Sequence, residues 1–298
     1  TQGSLCEAAV KEKTMTKQRL WQLDALRGLA LLNMLAYHAM YDWVYVFGHA
    51  GSWYNIGAPG CHVWQQYICW SFILLSGYSF TLARRPLKNG LIAAGCAAVL
   101  TVVTVGFMPS ESIWFGVLHL NAAAVLLSCL IKPLLNKIPA VPGLIGSAML
   151  FALTNQLPWG WLGFERWHIA ALPAGWYDAN LFWLGLPDLT RFSSADYFPI
   201  LPWVFLFWCG LFLERQQYPQ AAFWYHLAIE TGHQPHEGFW RQECCDYLPA
   251  IQLCVCYDRM GDISTAAAYN ALAGSFRRGD AAVAYNRQYF AEKAARRK

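Results

Sequence analysis

The sequence predicts an all-α fold: a polytopic membrane helix bundle of about six transmembrane helices, followed by a small helical tail. Three observations predict it. Six apolar stretches fill the first two thirds of the chain: Leu26–Phe47, Val63–Ala83, Leu91–Phe107, Ile113–Ile131, Ile138–Leu157 and Tyr197–Leu213. A bilayer crossing needs roughly 20 mostly apolar residues, and each stretch comes close to that length. Only 13% of the 298 residues are charged while 56% are hydrophobic, a balance that soluble domains rarely show. Lysine and arginine fall in alternate gaps: Lys11, Lys13, Lys17 and Arg19 before the first stretch, Arg84, Arg85 and Lys88 after the second, Lys132 and Lys137 after the fourth, and Arg215 after the sixth. The opposite gaps hold Arg166 and Arg191. The positive-inside rule then puts both termini in the cytosol.

Taken in order, residues 1–20 read as a polar cytosolic segment without the pattern of a cleavable signal peptide, so the first apolar run is expected to insert and remain. Residues 21–215 form the membrane domain. Its fifth stretch is the weakest, interrupted by Pro139, Pro142 and Gly143. The gap from Gln156 to Asp196 carries Trp159, Trp161, Trp167, Trp176 and Trp183. Indoles favour the membrane interface, so this gap reads either as a lid on the outer leaflet or as simple interfacial anchoring. After Leu213 the composition turns to Glu, Arg, Gln, Asp and Ala, which sets a boundary near Arg215 and a tail over 216–298. There Gln220–Ala228, Tyr247–Met260 and Ile263–Gly274 read as amphipathic helices, the last two joined by a Gly261–Asp262 turn.

The net charge of +4 suits loops facing anionic lipid and gives no sign of nucleic-acid binding. Cys69, Cys96, Cys129 and Cys209 lie in apolar stretches, Cys244, Cys245, Cys254 and Cys256 in the tail, and Cys61 has no evident partner. No structural disulfide is expected. Zinc held by His233, His236, Cys244 and Cys245 is a weak reading, since the paired CxxC spacing is missing, and no metal site is expected.

Several polar residues stand out against the apolar background. Asp24 and Arg27 are three apart and share a helix face. They read either as a cap with an interfacial arginine or as an anion site at the cytosolic mouth of the bundle. His38 and Asp42, four apart on the same helix, could form a carboxylate-oriented imidazole. His49 follows in "GHAGSWYN" and His119 in "FGVLHLN" with Asn121 nearby, so that three histidines fall toward the outer half of the bundle. Ionisable groups at membrane depth are expensive and usually face the protein interior. Each histidine alone reads as a satisfied structural group, and the three together as a site.

Four separated segments, "LWQLDALRGLALLNMLAYHAMYD", "WSFILLSGYSF…RRPLKNGL", "FGVLHLNAAAVLL" and "FSSADYFPILPW", resemble in order the heparan-alpha-glucosaminide N-acetyltransferase catalytic family, specifically its bacterial members, over residues of about 19–213. The resemblance implies a multi-helix enzyme of the bacterial plasma membrane. It would transfer an acetyl group from cytosolic acetyl-CoA to an amino sugar or related glycan outside. It implies His49 as the catalytic histidine, with Gly51 an extra residue in the "HASW"-like context and His38 standing where animal members carry Asn. His38 and Asp42 would shape the pocket and His119 would be a second base. Arg27, Arg84, Arg85 and Lys88, with Asp24 beside Arg27, would meet the donor's phosphates. Bacterial members continue past "YFPILPW" into further helices. Here the tail stands in their place, so a shortened bundle is expected. The tail, "LPAIQLCVCYDRMGD…AAAYNALAGSFRRGDAAVAYNRQYF", is similar to tetratricopeptide-like repeats of bacterial glycosyltransferases, which implies a protein-interaction element. Beside the enzyme stands the alternative of a catalytically inactive scaffold that anchors this module.

Overall fold

The structure, a computed structural model, describes residues 21–49, 53–231 and 242–295 and is mostly helical. Lys11, Lys13, Lys17, Arg19, His233, His236 and residues 50–52 of the "HAGSW" segment lie outside these. Contacts divide the chain into two units, one ending at Gly77 and one beginning at Tyr78, and each is described by itself.

In the first unit, α1 (Trp21–Tyr41) runs into a π turn over Asp42–Val46, closed by the Phe47 N–H donating to the Asp42 carbonyl five residues back at 2.8 Å. A loop then leads to α2 (Pro59–Phe80), whose last turn is counted in the second unit. The core of this unit is aromatic. Tyr37, Tyr54, Cys61 and Ile68 are buried, with Trp64 packed against them, and Tyr37 meets the rings of Tyr54 and Trp64 edge-on at 5.5 and 5.3 Å. The Trp64 indole N–H donates to Asn33 Oδ1 at 3.1 Å, so the one polar atom of a large apolar side chain is satisfied. Leu26, Leu29, Leu31, Leu32 and Leu35 of α1 stay exposed.

The second unit contains α3 (Pro86–Phe107), α4 (Val117–Leu130), the short α5 (Lys132–Lys137), α6 (Ala140–Thr154), the strands β1 (Trp161–Phe164) and β2 (Trp167–Ala171), the long α7 (Ile200–Thr231), and then α8 (Tyr247–Met260), α9 (Ile263–Phe276) and α10 (Ala281–Ala295). Among the described residues, two helices are long and apolar enough to cross a membrane, Pro86–Phe107 and Ala140–Trp159. All six apolar stretches fall on helices, but the other four fail that test. α4, with 14 residues, spans only about 21 Å at 1.5 Å per residue.

The fifth stretch, expected to be the weakest, is one of the two that pass. Its helix breakers do not break it. Pro139 is the N-cap and Pro142 lies in the first turn, where a missing N–H removes no intrahelical bond. Gly143 is buried against α7, where a Cβ would lie 2.5 Å from the Phe212 ring. Glycine is what lets α6 and α7 approach so closely.

The all-α expectation needs one correction. Between α6 and α7 the chain forms an antiparallel hairpin of β1 and β2, with an irregularity at Leu162/Gly163. Gly163 adopts φ +145°, and a Cβ there would meet the Trp167 carbonyl oxygen. The Trp-rich gap is pinned by its own hydrogen bonds. The Tyr177 hydroxyl donates to the Leu157 carbonyl at 2.6 Å and the Tyr197 hydroxyl to the Phe182 carbonyl at 2.7 Å. Trp159, Trp167, Trp176 and Trp183 remain exposed.

α7 kinks at Leu201, where φ and ψ are not helical, and carries Pro219 inside it, but it does not stop at the compositional boundary. Val204, Phe207, Leu211 and Phe212 are buried, and the Trp208 indole N–H donates to the buried Ser128 hydroxyl of α4 at 2.9 Å. The stretch Gln220–Ala228, expected as a separate tail helix, is the second half of α7. Arg215 sits mid-helix, donating to the Leu135 carbonyl at 2.8 Å and to Asn136 Oδ1 at 2.7 Å on α5. The tail packs on this extension: Ala222 of α7 shares a buried cluster with Leu253 and Cys256 of α8. The α8–α9 turn uses Gly261 at φ +89°, and Asp262 caps α9 by accepting from the Thr265 N–H at 3.0 Å and the Thr265 and Ser264 hydroxyls at 2.6 and 2.7 Å. The cysteines described here are all free thiols.

Candidate functional site

The polar residues marked by the sequence fall in both units. In the first, Arg27 Nη1 donates to Asp24 Oδ1 at 2.9 Å, as the three-residue spacing requires. Both side chains are partly exposed.

His38 and Asp42 are both exposed and are not linked by a hydrogen bond or ion pair. The pairing expected from their spacing is not made, because the α-helix gives way to the π turn at Asp42 and the regular stacking of side chains four apart ends there. His38 instead meets the edge of the Tyr37 ring at 6.1 Å.

His49 is held differently. Its ring stacks on Trp43 with centroids 3.8 Å apart and planes 11° from parallel, its backbone N–H donates to the Trp43 carbonyl at 3.3 Å, and Nδ1 lies 3.1 Å from the same carbonyl. A carbonyl oxygen can only accept, so Nδ1 carries the proton and Nε2 presents a lone pair. The ring is exposed at a defined angle on an indole platform. That is the geometry of an imidazole able to take a proton from a ligand. Trp43 had no signal in the sequence beyond being an aromatic residue six positions before His49.

His119, in the second unit, is used up internally. Thr101 donates its hydroxyl proton to the Ile113 carbonyl at 2.8 Å, so its oxygen accepts from His119 Nε2 at 2.9 Å. The Gly116 N–H donates to Nδ1 at 3.3 Å. Both ring nitrogens are engaged, which fits a positioning residue better than the second base expected from its place in the motif.

Around His119 the segments "SIWFGVLHLN" and "FSSADYFPILPW" come together. The Ala195 N–H donates to the Ser112 carbonyl at 3.0 Å and the Phe198 N–H to the Phe115 carbonyl at 2.8 Å. The Trp114 N–H donates to the Ser194 hydroxyl at 3.2 Å. Asp196 accepts from the Val117 N–H at 2.9 Å and so caps the N-terminus of α4, where free N–H groups favour a carboxylate. Its oxygen lies 2.1 Å from where a Gly116 Cβ would stand, which explains the glycine. Asp196 lies in the "FSSADYFPILPW" segment, 79 positions from the Val117 N–H it accepts. Arg84, Arg85 and Lys88 cluster, exposed, at the start of α3.

The family model described as heparan-alpha-glucosaminide N-acetyltransferase, catalytic, matches residues 19–237. The chain belongs to the heparan-alpha-glucosaminide N-acetyltransferase catalytic family. The match takes in all four motifs and runs beyond Leu213, where the sequence resemblance ends, through the rest of α7. The family is one of acetyltransferase-type, membrane-associated enzymes. No curated protein and no solved structure matches the chain. Among the described residues no cluster of three or more His, Cys, Asp or Glu could hold a metal ion.

Proposed function

We propose that this protein is a bacterial plasma-membrane acetyltransferase that takes the acetyl group of cytosolic acetyl-CoA to an amino sugar or related glycan on the other face. In this reading residues 1–20 are a cytosolic segment, 21–215 the acyltransferase part, and 216–298 a tetratricopeptide-like module open to a protein partner, with both termini cytosolic. The observation that carries it is the family match across residues 19–237.

Acetyl-CoA would supply an activated thioester. Arg27, paired with Asp24 in the first unit, and Arg84, Arg85 and Lys88 in the second are exposed or partly exposed cations, and each is assigned as a candidate for its phosphates. His49 is assigned as the catalytic base, its Nε2 accepting the proton of the acceptor amine while Trp43 holds the tautomer. His38 and Asp42 shape the approach to it, and His119 positions the α4 turn.

The alternative reading, a catalytically inactive scaffold, draws on the packing of α8 against the extension of α7, which builds the tail firmly onto the membrane helices. Release of free thiol from acetyl-CoA with glucosamine as acceptor, measured beside thermal unfolding with and without acetyl-CoA, separates the two. The enzyme reading expects a donor-dependent rise in Tm that Arg27→Ala loses. It also expects turnover that His49→Ala loses while keeping that rise. A folded wild type with neither rise nor turnover would establish the scaffold.

A further inference from the structure

A cavity of about 460 Å³ lies where α7 leaves its apolar half, a size in the usual range of small-ligand pockets, on the order of 300–1,000 Å³. Its basic groups come from four helices: Lys132 of α5, Arg215 of α7, Arg259 of α8 and Lys293 of α10. Against them stand two acids, Glu214 and Asp258, leaving a surplus of two positive charges. Asp258 is committed, accepting from Lys293 Nζ at 2.7 Å. Glu214 is buried and accepts the Tyr218 hydroxyl at 2.5 Å. Arg215 is immobilised, but by uncharged acceptors, the Leu135 carbonyl and Asn136 Oδ1. Among the described residues, no carboxylate lies within ion-pair distance of Lys132, Arg215 or Arg259. Thr81, Tyr218 and Tyr289 line the wall with their hydroxyl protons given to the Tyr78 carbonyl, Glu214 and Asp258, and Pro86 brings the N-terminus of the 22-residue α3 to its edge.

We infer that this cavity binds a phosphate-bearing anion, with Lys132 and Arg259 closing on it from opposite sides of the junction between the membrane helices and the tail. Converging cations on separate helices, one of them a fixed guanidinium, with a helix N-terminus beside them, are the features that select phosphate over a single carboxylate. The charge surplus matches a dianionic group. Two of the cations come from beyond residue 237, outside the matched family region, so the tail would be an integral wall of the site. Lys132 follows the apolar run that ends at Ile131, and Glu214 follows the one that ends at Leu213. A soluble phosphate ester and a lipid headgroup at the membrane surface can therefore both supply the chemistry.

Thermal unfolding of the whole chain in nanodiscs tests the site. One arm titrates inorganic pyrophosphate in phosphatidylcholine discs, and the other replaces part of that lipid by phosphatidylglycerol. A rise in Tm of several degrees is expected in at least one arm. It should fall by half or more in Lys132→Ala and in Arg259→Ala, both exposed positions whose truncation leaves the fold intact, and should persist in Lys137→Ala on the same short helix but outside the cavity. A rise with pyrophosphate assigns a soluble ligand, and a rise with phosphatidylglycerol alone assigns the lipid. No rise in either arm, or equal rises in Lys132→Ala, Arg259→Ala and wild type, overturns the inference. Neither residue is assigned to acetyl transfer, so such a failure would leave that proposal standing.

Discussion

Two histidines, His49 and His119, sit in motifs of similar standing, yet their surroundings differ in kind. His49 spends one nitrogen on the Trp43 carbonyl and keeps the other open on an exposed ring. His119 spends both, on Thr101 and Gly116, and ties the Asp196-capped start of α4 to α3. A histidine in a motif can therefore be there for its chemistry or for its two hydrogen bonds. What distinguishes them is whether a lone pair is left over.

The comparison can be broken by experiment. His49→Ala should lower kcat by about 10²–10⁴, the usual contribution of a general base, with little change in Tm because the ring is exposed. A loss confined to KM would remove it from the base role. His119→Ala should do the reverse, costing roughly 1–3 kcal/mol by stranding part-buried polar groups. Chemical denaturation would read this, and an unchanged midpoint would contradict the tied-down geometry. Gly143→Val forces a Cβ into the Phe212 ring and should cost about 1–3 kcal/mol as overpacking of the α6–α7 contact, seen as a lower denaturation midpoint with the acetyl-transfer residues untouched. Asp196→Ala removes a helix cap worth roughly 1 kcal/mol. Asp196→Asn, which keeps an acceptor oxygen, should recover most of it.

The smallest effect belongs to Asp262. Hydrogen bonds from the Thr265 hydroxyl and N–H and from the Ser264 hydroxyl hold its carboxyl at about 2, against an ordinary 3.8. The folded value is depressed, so its contribution is fully present above the unfolded value and fades as pH falls from there through about 2. Asp262→Ala should flatten that part of the acid limb in a pH series of Tm, and an unaltered limb would show the cap to be without weight.

The helical fold was largely legible, because burying or lipid-facing runs of apolar residues need no long-range information. What failed to read from the sequence had a local geometric cause. Pro142 looked like a breaker until its place in the first turn of α6 was known. The β1–β2 hairpin was hidden in a gap where Trp and Gly suggested only an interface, since its one diagnostic residue, Gly163, reveals itself through φ alone. His38 and Asp42 were paired on α-helical spacing that stops at the π turn. The site was legible as residue types and not as roles: His49 could be named, but Trp43, which sets its tautomer, and Thr101, which saturates His119, depend on contacts that spacing does not encode.

α7 has a consequence for how this polypeptide can be taken apart. Past the non-helical Leu201 its residues 202–231 extend about 45 Å at 1.5 Å per residue. The change of composition at Arg215 looks like a suture between modules, and a molecular biologist would cut there. The cut would fall inside α7, strip Tyr218 from the buried Glu214 and leave that carboxylate without its hydroxyl donor.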